Sequence, residues 1–349
     1  MPRFLMQSDL LEHLRCPYCN STLELETIEV CTTGIKTAIL TSSCTMFFPV
    51  IDGVPRMLLE SFLDHQQILK ECCQDFDSRK DAVLAKYGEP IRSATRRNAK
   101  SKKSFSLEWK LLGNRDHLRV WHTDAVSYRN QLFAEIDLRE EELAGKKVID
   151  VGCGHGRSTR LLAAKSALAI GMDLGNSVVD AAANNASPNC HFIQADLHYP
   201  PFSPGYFDLV YSSGVLHHTE STSNSFNTIS TLTGANGILS VWLYRPCHDF
   251  VQRFMLFLRR FTVNLPVKLQ FWLYFFTLTP LHWVISFIKG NHPHWREIMI
   301  SQLDVLSPQF RHEHTPDEVE KWYHAHRFEK VSVTTMNEIG FSMKGSRIL

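Results

Sequence analysis

Charge in excess of either sign is missing from this chain. Its 37 basic residues stand against 36 acidic ones, a formal net charge of +1, which disfavours a globally basic nucleic-acid binder while leaving room for a local basic patch. The start, MPRFLMQSDLLEHLRC, has no apolar h-region with a small-residue cleavage site and is already charged at Asp9 and Glu12, so no secretory leader is expected. Nine cysteines, an odd count, then read as ligands, core fillers or free thiols in a reducing, cytoplasmic compartment, not as a disulfide framework. Compositional extremes are absent too. With 44% apolar and 21% charged residues, a wholly disordered, fibrous or polytopic membrane chain is disfavoured. What remains is a globular chain of 349 residues, long enough for about two domains.

A CxxC knuckle opens the chain at Cys16-Pro17-Tyr18-Cys19, a spacing that lets two thiolates reach one tetrahedral zinc. A second CxxC is lacking; Cys31 and Cys44 are the downstream candidates. LRCPYCNSTLELE followed by FFPVIDGVPRMLLE resembles the small zinc-ribbon-like Trm112 family, whose members activate methyltransferases or are fused ahead of one. That family's third cysteine would fall where this chain has Thr41. The resemblance implies zinc on Cys16, Cys19 and Cys44, with Cys31 as a fourth candidate, but the departure favours a metal-free β-hairpin module that packs the thiols as small hydrophobes. Downstream, Arg92, Arg96, Arg97, Lys100, Lys102 and Lys103 follow one another with no acid among them. They read as a solvated basic linker, the alternative being contact with RNA phosphates or an anionic membrane.

The chemistry is concentrated further on. Lys147-Val-Ile-Asp150 reads as a short strand ending in an acid, followed by Gly152-Cys153-Gly154-His155-Gly156 and a helix. Such glycines bring backbone N–H groups close to a ligand at a helix N-terminus. A dinucleotide fingerprint would need glycine at 157, where Arg157 stands. Leu168–Met172 reads as a second strand closing on Asp173 and Leu174, a carboxylate placed for ribose hydroxyls. Cys190–Gln194 is a third, before Asp196 and Leu197. Phe207–Ser212 is a fourth, closing on Ser213 and Gly214, then His217 and His218, and Ile238–Tyr244 is a fifth. This βα alternation predicts a doubly wound, mostly parallel sheet.

VIDVGCGHG, GMDLGNSVV, FIQADL, FDLVYSSGVLHH and GILSVWLY resemble, in order and spacing, the class I S-adenosylmethionine-dependent methyltransferases of the methyltransferase type 11 kind. The resemblance implies a Rossmann-like seven-stranded sheet with S-adenosylmethionine as cofactor. Asp150, Gly152, Cys153, Gly154 and Gly156 would line its methionine part, Asp173 and Leu174 its ribose, and Asp196 and Leu197 its adenine. Ser213 would sit beside the sulfonium. His217 and His218, after the fourth strand, are the candidates for a catalytic base, with His217 favoured as part of the cofactor or substrate wall. The asparagine/aspartate-proline-proline-aromatic signature of amino-nitrogen methylation is absent after Val210, where Tyr211-Ser-Ser-Gly stands.

Beyond Tyr244 the alternation stops. Leu269 to Ile288 runs twenty residues without a formal charge, interrupted by Pro280 and His282. A bent helical pair is expected, as a lid over the site, a surface touching a bilayer or lipid substrate, an oligomer interface, or a span. The helix after it is marked by Thr315 at the N-cap, Pro316 and Glu318; His324 and His326 on it point apart and should not chelate. Phe328–Met336 and Gly340–Leu349 read as a closing antiparallel hairpin. Trp109, Tyr244, His312 and His314 are the substrate-binding candidates. The expected division is 1–60 for the small N-terminal β-rich domain, 61–124 for a helical segment and basic linker, 125–245 for the cofactor core, 246–309 for an aromatic helical insert, and 310–349 for the closing helix and hairpin. The leading expectation is a cytoplasmic methyltransferase, peripherally membrane-associated at most, acting on a small or lipid-like acceptor of the secondary-metabolite type. An RNA methyltransferase and a non-enzymatic cofactor-binding regulator are the alternatives.

Overall fold

The computed structural model describes residues 5–112, 124–246 and 250–348. Two sheets organise them. The first is antiparallel, in the order β1-β2-β3-β4, from β1 (Leu23–Cys31), β2 (Gly34–Ser42), β3 (Phe47–Ile51) and β4 (Val54–Pro55). Asp52 and Gly53, both at positive φ, make the tight turn between the last two.

The second sheet has seven strands: β5 (Lys147–Val151), β6 (Leu168–Asp173), β7 (Cys190–Gln194), β8 (Phe207–Ser213), β9 (Thr233–Tyr244), β10 (Phe328–Met336) and β11 (Gly340–Arg347). Their spatial order is β10-β11-β9-β8-β5-β6-β7, and only β11 runs against its neighbours. The central strands are apolar on both faces because helices cover both; Val148, Ile149, Ala169, Ile170, Leu209 and Val210 are fully buried. This is the doubly wound, Rossmann-like methyltransferase fold expected from the sequence. The fifth strand starts earlier than its apolar run, because it continues through Gly234–Gly237 with Asn236 at φ 60°.

The small sheet closes the β7 edge of the large one. Arg56 bridges Gln194 in parallel register, Met57 N–H donates to the Gln194 carbonyl at 2.7 Å, and Arg56 Nη1 donates to Gln194 Oε1 at 3.2 Å. An otherwise open strand edge is thereby paired. The N-terminal domain braces the catalytic fold.

The segment expected as a basic linker is instead one helix, Phe76–Leu112, with Pro90 inside it. Five of the six cations of that run are engaged within the chain, Lys103 remaining exposed. Arg97 pairs with Asp196 at 2.6 Å, Lys102 with Asp64 and Glu60, Arg92 and Arg96 with Glu89, and Lys100 donates to the Val263 carbonyl. Alternate turns of a helix face different neighbours, so a run uninterrupted in sequence becomes several separate ion pairs in space. Nothing in this arrangement favours RNA binding.

Residues between the fifth strand and the closing hairpin form helices Phe250–Thr262, Val267–Phe276, Leu278–Ile288 and Trp295–Leu306. The middle two are bent by 41°. The next helix, Pro316–Ala325, is capped by Thr315, whose hydroxyl accepts the Glu318 N–H. The Glu318 carboxylate turns to His314 Nδ1 at 3.0 Å.

Candidate functional site

Parallel strands end on one side of the sheet, and loops leaving those ends form the crevice where ligands bind in open α/β folds. Here that crevice is a cavity of about 470 Å³, within the range of small-molecule sites. Asp150, Gly152, Cys153, Asp173, Leu174, Asp196, Leu197, Ser213, His217, His218 and Tyr244 all line it. The sequence candidates from five separate strand ends therefore converge on one volume.

The glycine turn shows why side chains are excluded from it. Gly152, Gly154 and Gly156 have φ of 80°, 55° and 79°, where an L side chain is strained. A Cβ on Gly152 would stand 2.2 Å from Val215 Cγ2, and one on Gly156 2.3 Å from the Phe192 ring. Asp173 fastens the turn: its two oxygens accept the N–H groups of Gly154 at 2.9 Å and Gly175 at 2.7 Å.

Two acids lie at this end of the cavity. Asp150 is 3% exposed and accepts the Thr159 hydroxyl at 2.7 Å. Burial pushes its pKa up to about 7, Asp173 adding to the rise and Thr159 opposing it. Burial raises Asp173 as well, against its two backbone donors. The buried Asp150, the half-buried Asp173 and the open space where a Gly214 Cβ would project fit a compact cofactor carrying a sulfonium and an ammonium. Asp196 differs. Burial works against its charge, but His198, Arg97 and Asn98 together hold its carboxyl well below the usual range. Both its oxygens are engaged, so an adenine amino group would have to share them.

The opposite end is aromatic. His217 is fully buried, its ring 4.1 Å from that of Tyr244 and 5.7 Å from that of Trp242, and neither ring nitrogen has a hydrogen-bond partner among the described residues. Burial drives its pKa well below the ordinary value, helped by His218 and Arg311. His218 donates Nδ1–H to the Phe310 carbonyl at 3.0 Å, and Phe105 packs against it at 5.5 Å. Its Nε2 lies 3.8 Å from Asp304 Oδ1, while Asp304 Oδ2 accepts the Tyr244 hydroxyl at 2.6 Å.

Two substrate candidates are displaced. His312 and His314 are not among the lining residues: the His312 N–H donates to the His217 carbonyl and the His314 N–H to the Tyr244 carbonyl, and His312 Nε2 lies 3.1 Å from the Thr219 carbonyl oxygen. They clamp the loop that carries Phe310 and do not open on the cavity. The side chain of Trp109 lies outside the described residues. Sequence reading missed Asp304, Arg97, Asn98, Phe105, Tyr128 and Glu135, all cavity residues. They stand on helices outside the core motifs, so no local spacing marks them.

In the small domain, the sulfurs of Cys16, Cys19 and Cys44 lie within 4.8 Å of one another. Burial pushes Cys16 up to about 12; at Cys19 burial opposes ionisation, but bonds from Ser21 and the neighbouring thiols bring it down to about 6. Cys31, the fourth candidate, pairs with Gly34 at the far end of the β1–β2 hairpin, and so cannot join them.

Residues 149–241 match the sequence family described as "Methyltransferase domain". The chain is 34% identical over 131 residues to trans-aconitate 2-methyltransferase of Klebsiella pneumoniae, covering 36% of this chain and 51% of the relative. It is 35% identical over 121 residues to the chloroplastic tocopherol O-methyltransferase of Arabidopsis thaliana, covering 32% and 35%. The chain thus spans between a third and about half of the length of these curated relatives. It is also similar to the magnesium protoporphyrin IX methyltransferase of Synechocystis PCC 6803 with bound S-adenosylhomocysteine, at 17% identity and a TM-score of 0.42, covering 71% of this chain and 98% of that one. Over residues 149–241, then, this chain is similar to a methyltransferase domain.

Proposed function

We propose that the protein methylates a small, apolar or lipid-like acceptor held at the aromatic end of the cavity. S-adenosylmethionine, when bound, supplies a methyl group on a sulfonium, a donor already activated for in-line displacement. The residues align, dry and deprotonate. Asp150 would balance the positive charge of the bound cofactor, Asp173 would accept from its ribose hydroxyls, and Ser213, at the end of β8, would line the methyl-donor side. Trp242, Tyr244 and Phe105 exclude water around the acceptor, which is a proximity and desolvation contribution. An acceptor O–H or N–H loses its proton to His218 Nε2, and Asp304 steadies the resulting imidazolium.

The observation that supports this reading is the fixed tautomer of His218, whose ring lines the same cavity as the strand-end acids and whose Nε2 has no hydrogen-bond partner among the described residues. The names of the relatives, trans-aconitate and tocopherol methyltransferases among them, accord with a small-molecule acceptor. At the knuckle, a zinc ion on Cys16, Cys19 and Cys44, with a fourth ligand from solvent, would staple the turn after Leu14 to the end of β2; metal analysis of the purified protein and of Cys44→Ser checks it.

The decisive experiment presents methyl-labelled S-adenosylmethionine and host extract to the protein and to a Gly154→Arg control. Label in the organic-soluble or small-molecule fraction, absent with the control, supports the reading. Label in RNA overturns it.

A further inference from the structure

The insert has its polarity inside out. Along the bent pair Val267–Phe276 and Leu278–Ile288, the buried side chains are Gln270, Tyr274, Thr279 and Ser286. Gln270 Nε2 donates to the carbonyls of Thr262, Val263 and Leu265, the Tyr274 hydroxyl to Thr262 Oγ1, and the Thr279 hydroxyl to Gln302 Oε1. Polar groups are used to knit the insert to itself and to the helix Trp295–Leu306. Its aromatic bulk is left outside. Phe261, Phe276 and Ile288 are 68%, 69% and 78% exposed, and Trp272, Trp283 and Phe287 lie beside them. A helix facing water carries the opposite pattern, and a continuous exposed apolar face marks an interaction surface.

Charge says what the surface meets. From Phe250 to Arg296 the sequence holds Arg253, Arg259, Arg260, Lys268, Lys289 and Arg296 and not one of the chain's 36 acids. The chain is nearly neutral as a whole, so the insert is cationic and the remainder net acidic. Arg253, Arg260, Lys268 and Lys289 are exposed, and among the described residues none is paired with an acid. A second copy of the chain would bring the same cations face to face, which is unfavourable.

No single helix among the described residues is long and apolar enough to cross a membrane. The inner face of the pair is also occupied, since Tyr274 packs on Met299, Leu303 and Leu306. An element with one face on protein, one face apolar and a cationic margin lies on a bilayer, not across it.

We propose that this face is a monotopic docking surface for an anionic bilayer, Trp272, Phe276, Trp283, Phe287 and Ile288 entering the acyl boundary and the four exposed cations meeting the headgroups. The helix Trp295–Leu306 links docking to chemistry: Met299, Leu303 and Leu306 back the insert, whereas Ser301, Asp304 and Val305 line the cavity. The acceptor end therefore lies one helix from the membrane, which suits an acceptor dissolved in the bilayer. That last step rests on the proposed function; the docking itself does not.

The test is co-sedimentation of the full chain with phosphatidylcholine vesicles, with and without phosphatidylglycerol. Expected are binding to the anionic vesicles, its loss in the double variant Trp272→Glu with Phe276→Glu, and roughly tenfold or greater weakening in Arg260→Gln with Lys268→Gln. Cofactor titration on each variant should match the parent and so certify the fold. Absence of binding to either vesicle overturns the proposal, as does binding that both variants retain. So does a soluble dimer that the Trp272/Phe276 variant splits, which would assign the face to a second copy. Vesicle binding with no methyl transfer to any organic-soluble acceptor would sink the functional reading alone.

Discussion

The carbonyl oxygen of Phe310 accepts the Nδ1–H of His218 at 3.0 Å. A carbonyl can only accept, so the proton is on Nδ1 and the lone pair on Nε2, facing Asp304 at 3.8 Å. Burial lowers the His218 pKa below its ordinary 6.5, with Asp304 working against the drop. The ring is therefore neutral, and able to accept a proton, at neutral pH. His218→Asn is expected to cut turnover by about 10²–10⁴ while leaving cofactor affinity intact. The parent's rate should fall on the acid side only below the range of an ordinary histidine. A kcat–pH profile with the same acid limb in both proteins would remove His218 from the reaction.

Cofactor binding is expected to depend on pH through Asp150. Its folded pKa of about 7 stands above the ordinary 3.8, so between these values the folded protein holds a proton that the unfolded chain has released. This group's contribution to stability accordingly falls as pH rises from about 4 to about 7, and is level above. A cation bound beside it favours the carboxylate, so binding below pH 7 expels that proton. Affinity for S-adenosylmethionine should climb with pH up to about 7 and then flatten, by calorimetry in buffers of different ionisation enthalpy. Asp150→Asn should abolish both the slope and the proton release.

The strand-end half of the site was legible in sequence because each residue there is tied to a local pattern. Asp150, Asp173 and Asp196 each follow a buried apolar run, and the glycines at 152, 154 and 156 announce a turn before a helix. Long-range partners leave no such mark. Nothing in sequence brings Arg97 to Asp196, 99 positions away, or Asp304 to Tyr244, 60 away. The acid-free run from Arg92 to Lys103 reads as a linker because a one-dimensional charge count cannot see Glu60, Asp64 and Asp196 waiting on other elements. His312 and His314 are held by backbone and ring alike, to the carbonyls of His217, Tyr244 and Thr219 and to the Glu318 carboxylate, contacts that no local spacing announces.

Gly156 tests the packing of the cofactor turn. At φ 79° its Cβ would meet the Phe192 ring at 2.3 Å and Ala181 Cβ at 3.0 Å. Gly156→Ala thus adds left-handed strain to an overpacked contact, and about 2–4 kcal/mol of destabilisation is expected. Gly145→Ala serves as the comparison, since at φ 76° it carries the strain alone, with no atom within 4 Å of its Cβ. Urea unfolding of the two should separate them by more than about 1 kcal/mol. Equal midpoints would mean that Phe192 yields freely.

Asp304 stands on the helix that backs the insert and faces the cavity, and its two oxygens meet different partners. One accepts the Tyr244 hydroxyl at 2.6 Å; the other faces His218 Nε2 at 3.8 Å. Tyr244 is itself held by the His217 ring and by the Arg311 guanidinium, 4.2 Å from its centroid. Asp304→Asn keeps the shape and one acceptor oxygen while removing the charge that favours a protonated His218. The acid limb of the rate profile should then move to lower pH, and turnover should drop roughly tenfold as the imidazolium loses its counter-charge. Tyr244→Phe should raise KM through a loosened acceptor wall and leave the limb in place, because Asp304 keeps its charge. If Asp304 only holds the helix Trp295–Leu306 in position, Asp304→Asn will lower thermal stability with the pH limb unmoved, and the counter-charge role falls.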